Sequence, residues 1–264
     1  MIYLVSKNKK WSNLNRQRFE KEILEKKISV HCSMIQDFVT EHGKEKTIYV
    51  SPTNSLGRME GGIDLIMSRQ IFPNIHKKLA RLIKLLGIIG KTGQYILPVG
   101  SALFFPDHAK KSGLITTPVM YNSSSIGHTE NVYISILTTL ILFQKINRYR
   151  QKKEDMTFQD LVITSHGCGN GGMHEEDSVR QFRQVFSDFD QFYERRYQFY
   201  NLKVIDEENR YPYSEELDIE IGDINPHFFC ILPYQEKETE MALIDQNEVK
   251  TVKIIKEYTI MDKE

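Results

Sequence analysis

The most constraining feature of this chain is an alternation of short, β-rich apolar runs with longer helical patterns. "IYLV" at 2–5 is followed by "WSNLNRQRFEKEILEKK" at 11–27 and then by "ISVHC" at 28–32. A helix-length segment between two strands calls for a crossover rather than a hairpin, so the strands it joins run parallel. The rhythm continues with a helix over 34–42, the strand "TIYVS" at 47–51, helical sequence from 62 to about 89, and strands in "YILPVGSALFF" and "LITTPVM". A helix over 129–152, the strand "DLVITS" at 160–165 and a helix from 172 to about 196 complete it. The chain over residues 1–196 therefore reads as a three-layer α/β/α sandwich. From 197 it turns Tyr-rich, acidic and irregular, with strands expected in "FFCILPY" and "VKTVKIIKEYTI". Residues 197–264 read as a C-terminal extension packed on the main domain.

Composition narrows the function classes. With 40% hydrophobic and 27% charged residues the chain has the makings of a core, which disordered sequences lack. Lys plus Arg and Asp plus Glu number 35 each, so no overall positive field argues for general nucleic-acid binding or an acidic membrane. The basic runs "SKNKK" and "KINRYRQKK" read as solvated faces and helix ends. The longest apolar run, within "ISILTTLILF", is about half of what a bilayer requires. Three cysteines without a CxxC spacing suggest neither a disulfide framework nor a zinc site. No metal and no cofactor is called for, and a reducing, cytoplasmic setting fits best.

Ligands of such sheets bind beyond the carboxyl ends of the strands, where loops pass into helices. Two glycine-rich loops sit at such ends, "SPTNSLGRMEGGID" at 51–64 and "VITSHGCGNGGM" at 162–173. Glycines there let a ligand approach the backbone amides, and the first turn of a helix offers free N–H groups to an anion. Asn54 carries an amide that can donate to one hydroxyl and accept from another, or bond its own backbone as a turn residue. Asp64 lies early in its helix, as a cap or as a functional carboxylate. Glu175, Glu176 and Asp177 fit capping and dipole compensation of the helix after the second loop. His166 and His128 are candidate proton carriers or hydrogen-bonded structural histidines, and Cys168 reads as a packing residue.

These two loops resemble the ligand loops of macro domains, and "LITTPVMYNSSSIGHTENVYISI" is similar to the strand, loop and helix between them. The likeness extends over roughly residues 28–196 and is nearest in character to divergent macro-like proteins of viruses, phages and fungi. It implies an α/β/α sandwich with a mixed central sheet, and binding of ADP-ribose or of an ADP-ribosylated protein. The implied contacts are Ser51, Asn54, Gly61, Gly62 and Ile63 at the distal ribose and Gly167, Cys168, Gly169, Asn170, Gly171 and Gly172 at the diphosphate. Asn54 and Asp64 are the implied catalytic pair if the chain hydrolyses ADP-ribosyl linkages. Ser51 stands where the family has the first of two asparagines, and the usual adenine-reading aspartate is missing near Cys32 and Ser33, with Asp37 the nearest carboxylate. The aromatics available for stacking on adenine are Phe192, Tyr193 and Tyr197. Three alternatives stay open: a phosphatase for the phosphorylated terminal ribose of ADP-ribose, a non-catalytic interaction protein that keeps the fold with a degraded pocket, and, should the two glycine loops lie at opposite ends of the sheet, an unrelated nucleotide-binding α/β enzyme.

Overall fold

A computed structural model describes residues 1–107 and 111–189, together with the backbone of strands Tyr197–Asp206, His227–Pro233 and Val252–Tyr258. The strands are β1 (Ile2–Val5), β2 (Ile28–His31), β3 (Thr47–Asn54), β4 (Ala102–Asp107), β5 (Ser112–Met120), β6 (Asp160–Thr164), β7 (Tyr197–Asp206), β8 (His227–Pro233) and β9 (Val252–Tyr258). They form one mixed sheet in the order β2-β1-β6-β3-β5-β4-β8-β7-β9. The first five in that order are mutually parallel, and each of the remaining four runs antiparallel to its neighbours.

The strands that bind helices on both faces are apolar throughout, and their side chains divide by the two-residue period of a strand. Ile48 and Val50 face one core, shared with Leu4, Leu161 and Ile163, while Tyr49 faces the other with Val5 and Val162. The first core is covered by α1 (Lys9–Arg18), α6 (Asn131–Lys152) and α7 (Glu175–Asp188) through Trp11, Ile136 and Phe182. The second is covered by α3 (Ile35–His42), a π-helical turn (Met67–Ile71) and α5 (Ile75–Leu86) through Phe38, Met67 and Leu79. Two short helices, α2 (Glu20–Leu24) and α4 (Gly62–Ile66), complete the described set.

Several expectations need correction. The helix expected over 11–27 is two, because the chain breaks at Phe19, whose ring is fully buried. "YILPVGSALFF" is a strand only from Ala102; ahead of it Pro98 cannot donate to a ladder, and Gly100 takes a φ of +90°. The last helix begins at Glu175, since Gly172 and Met173 still belong to the loop, and is described to Asp188; residues 190–196, with Phe192 and Tyr193, lie outside the described residues. β8 and β9 fall in the two stretches expected as strands, whereas β7 arises in sequence read as irregular.

The register of the ladder creates the place for a site. Val5 pairs with both His31 and Thr164, so β2, β1 and β6 end level with one another. β3 pairs with β6 only as far as Val50, then continues through Pro52 to Asn54 alongside β5. Pro52 is tolerated there because β6 has already ended and asks no hydrogen bond of it. The overshooting ends of β3 and β5 stand as a wall beside the lower ends of β6, β1 and β2.

Candidate functional site

A cavity of about 500 Å³ occupies this step in the sheet. Its lining comes from five strand ends: Ser33 to Gln36 at β2, Val5 to Asn8 at β1, Ser165 and Gly167 to Gly171 at β6, Pro52 to Asn54, Arg58 and Glu60 to Asp64 at β3, and Val119, Met120, Asn122 and Ser123 at β5. Both glycine-rich loops are in it, and they meet: a Cβ built on Gly61 would lie 3.0 Å from Asn170 Nδ2.

The loop after β6 is fixed from behind. Trp11 Nε1 donates to Ser178 Oγ, which donates to the carbonyl of His166. The His166 ring is wholly buried, edge-on to Phe182, with Nδ1 2.6 Å from the carbonyl of Thr164. Burial pushes its pKa down to about 4, so it is neutral and donates from Nδ1. Gly167 turns the chain at φ +80°, where an added Cβ would come within 2.9 Å of Val132. Gly171 is packed as tightly, its Cβ position 2.7 Å from Gly167 O and 3.0 Å from Ile126. These two glycines serve the packing of the loop. Gly169 is different, with nothing within 4 Å of a Cβ. Gly172 N–H donates to Gly169 O and Met173 N–H to Gly167 O, closing the turn. Among the described residues, the N–H groups of Cys168, Gly169, Asn170 and Gly171 meet no protein acceptor.

Such a run of free amides can receive an anion. Of the acidic residues beyond it, Glu175 accepts from Asn8 Nδ2 at 2.8 Å and Glu176 pairs with Lys10 at 2.8 Å. Those bonds hold both carboxyls below their ordinary range. Cys168 lines the cavity as a thiol, since burial pushes its pKa up to about 11.

The loop after β3 is closed on itself. Asn54 Oδ1 accepts from the N–H groups of Leu56 and Arg58, each at 3.1 Å, and Nδ2 donates to Arg58 O at 3.0 Å. The acceptor expected to reach for a hydroxyl is thus occupied, and one N–H remains. Asp64 Oδ1 accepts from Gly61 N–H at 3.2 Å and Leu65 N–H at 2.8 Å, capping α4. Burial nevertheless raises its carboxyl to about 6, against the pull of those donors and with a push from Glu60.

Of the expected contacts, Asn54, Gly61, Gly62, Ile63, Asp64, Gly167, Cys168, Gly169, Asn170 and Gly171 all line the cavity. Ser51 does not; it sits within β3, fully buried, with Oγ donating to Pro52 O. Gly172 is turned to solvent at φ +60° and stands outside the lining, as do exposed His128 and Asp37. Tyr197 is in β7, and its side chain lies outside the description. Among the lining residues that were not expected, Thr53, Ser33 and Gln36 carry buried atoms, Oγ1, Oγ and Oε1, without a hydrogen-bond partner. Nothing in a lone Thr, Ser or Gln signals this; only their positions just past strand ends could have. Among the described residues no group of three or more His, Cys, Asp or Glu side chains could hold a metal ion, and no helix is long and apolar enough to cross a membrane.

No protein-family model and no curated protein matches the chain. Among solved structures it is similar to the macrodomain of Mycobacterium tuberculosis DarG, at 15% identity and a TM-score of 0.40, over 56% of this chain and 84% of that one. It is similar also to Thermosipho africanus DarTG in complex with ADP-ribose, at 14% identity and a TM-score of 0.39, over 55% of this chain and 36% of that one. The macrodomain of Thermus aquaticus DarG gives 14% identity and a TM-score of 0.38, over 55% and 83%.

Proposed function

We propose that the cavity binds ADP-ribose, free or attached to protein, with the diphosphate across the amides of Cys168 to Gly171. What carries this is that run of four amides, unpartnered and inside a cavity, between glycines whose own space is taken by packing. The sheet order supports it: β6 is third of the five parallel strands, with room for a ligand to extend both ways. The distal ribose then lies toward Asn54 and Gly61 to Ile63, and Lys7 and Arg58 supply cations at the rim.

Asp64 is the group through which hydrolysis of an ADP-ribosyl linkage would run. A carboxylate whose pKa lies near 6 is a base poised close to neutrality. It takes a proton from water as the water oxygen bonds to the anomeric carbon; the bond to the modified side chain breaks, and the proton passes to the leaving group. Binding without turnover is the second reading. One observation favours it: the Asn54 amide oxygen holds two backbone N–H groups and has nothing left to steer a ribose hydroxyl.

The test is calorimetric titration with ADP-ribose beside AMP, on the natural chain and on Gly169→Glu. Since nothing stands within 4 Å of a Cβ at 169, the variant keeps its fold and places a negative charge at the cradle. Micromolar ADP-ribose binding that exceeds AMP and is lost in Gly169→Glu with an unchanged melting temperature is expected. No heat with the natural chain at millimolar ligand would sink the proposal. Release of ADP-ribose from a modified protein, abolished by Asp64→Asn, separates hydrolysis from binding alone.

A further inference from the structure

Charge is spread unevenly along this chain. Between Leu65 and Pro106 stand six Lys and Arg residues and no Asp or Glu, although the whole chain is neutral. Half of the six lie on one stripe of α5. At about 100° per residue, Lys77, Arg81 and Lys84 fall within an arc of about 60°, opposite Ile75, Leu79, Leu82 and Leu86, which are buried in the second core. Lys77 and Lys84 are exposed, and among the described residues neither has an ion-pair partner. The stripe is about 10 Å long, the reach of roughly three residues of extended chain.

At its end the chain turns at Gly87 into a hairpin, in which Gly90 N–H donates to Gln94 O and Ile96 N–H to Ile88 O. Ile89 and Tyr95 are paired across it, 63% and 41% exposed, with Lys91 at the tip between them. An open apolar pair thus adjoins the basic stripe. The same hairpin reaches the rim of the cavity: Thr92 Oγ1 and Tyr121 Oη share a hydrogen bond, and Tyr121 immediately precedes Asn122 and Ser123 in the lining. Leu97 N–H, just past the hairpin, donates to Ser55 O in the loop after β3.

We propose that the exposed stripe of α5 and this hairpin dock an acidic segment of a protein partner, with an apolar side chain of that segment seated on Ile89 and Tyr95. A neutral chain has no long-range field to collect nucleic acid, and Ile89 offers no face on which a base stacks. An apolar anchor bordered by cations complements a peptide that mixes acidic and apolar side chains. Docking is independent of the cavity; only the next step rests on the ADP-ribose reading, that a partner held here brings its modified side chain to the distal ribose end.

The experiment follows the fluorescence anisotropy of a labelled peptide of repeated Glu-Glu-Leu units, beside a labelled oligothymidylate of matching charge. The proteins are the natural chain, Lys77→Glu with Lys84→Glu, and Ile89→Ser with Tyr95→Ser, each melted alongside and titrated with ADP-ribose. The natural chain should bind the peptide with a dissociation constant on the order of tens of micromolar, weakening as salt is raised. The charge-reversed pair should lose about tenfold and the serine pair about fivefold, with melting temperature and ADP-ribose affinity unchanged. Each pair checks the other, so a loss of fold in one leaves the test standing. No binding at millimolar peptide, equal binding by all three proteins, a tighter grip on the oligothymidylate, or self-association of the natural chain that the variants abolish overturns the proposal. If the peptide binds as expected and ADP-ribose does not, the docking surface stands and the function proposed for the cavity falls.

Discussion

The two glycine-rich loops look alike in sequence and behave oppositely in the molecule. After β3, side chains are spent on their own backbone: Asn54 ties down Leu56 and Arg58, and Asp64 ties down Gly61 and Leu65. After β6 the backbone is held from behind by packing, with Gly167 and Gly171 against Ile126 and Val132, and its forward amides are left over. A glycine in such a loop is therefore ambiguous between room for a ligand and room for the protein itself. What distinguishes them is where an added Cβ would go.

The sharpest way to break this contrast is to add that Cβ. Gly171→Ala drives a methyl toward Gly167 O and Ile126 and should cost about 3 kcal/mol in denaturant unfolding, with loss of ligand binding. Asn54→Ala removes three hydrogen bonds that close the first loop, leaving two backbone N–H groups to find water; about 2 kcal/mol is expected. A variant as stable as the natural chain would show that the loop closes without it.

Asp64→Asn should act in the other direction, and only above a certain pH. The folded carboxyl titrates near 6 and an unfolded one near 3.8, so the folded state holds the proton more tightly. That contribution to stability is complete below pH of about 4 and is lost as pH rises through about 6. Asparagine keeps the acceptor for Gly61 and Leu65 without the buried charge. Discounted for residual solvent contact, the gain at pH 7.5 is on the order of 1 kcal/mol, read as a melting temperature about 2–4 °C higher that converges with the natural chain's near pH 4. Smallest of all, Gly169→Ala should change stability by less than about 0.5 kcal/mol, because its Cβ meets nothing.

Much of the layered architecture was legible because it rests on periodicity. Ile48, Tyr49 and Val50 announce a strand buried on both faces, and the crossover lengths dictate parallel neighbours. What periodicity does not contain stayed hidden: the break at Phe19, the late start of β4 after Pro98 and Gly100, and the pairing of β7 between β8 and β9. At the site, motif spacing located the residues but not their commitments. Asn54 and Gly171 line the cavity as expected, yet the first is engaged by its own loop and the second by Ile126. The raised titration of Asp64 and the orphaned atoms of Ser33, Gln36 and Thr53 depend on burial set by distant parts of the chain.

The level ending of β2, β1 and β6 beside the overshoot of β3 has one more consequence. The strand ends form a ruler whose graduations are the interstrand hydrogen bonds, about 4.8 Å each and all but inextensible. Side-chain changes in the loops can tighten or loosen the grip at any one mark, but they cannot move the marks. The length of molecule that can engage both ends at once is written in the backbone, and only a strand lost, gained or slipped in register would rewrite it.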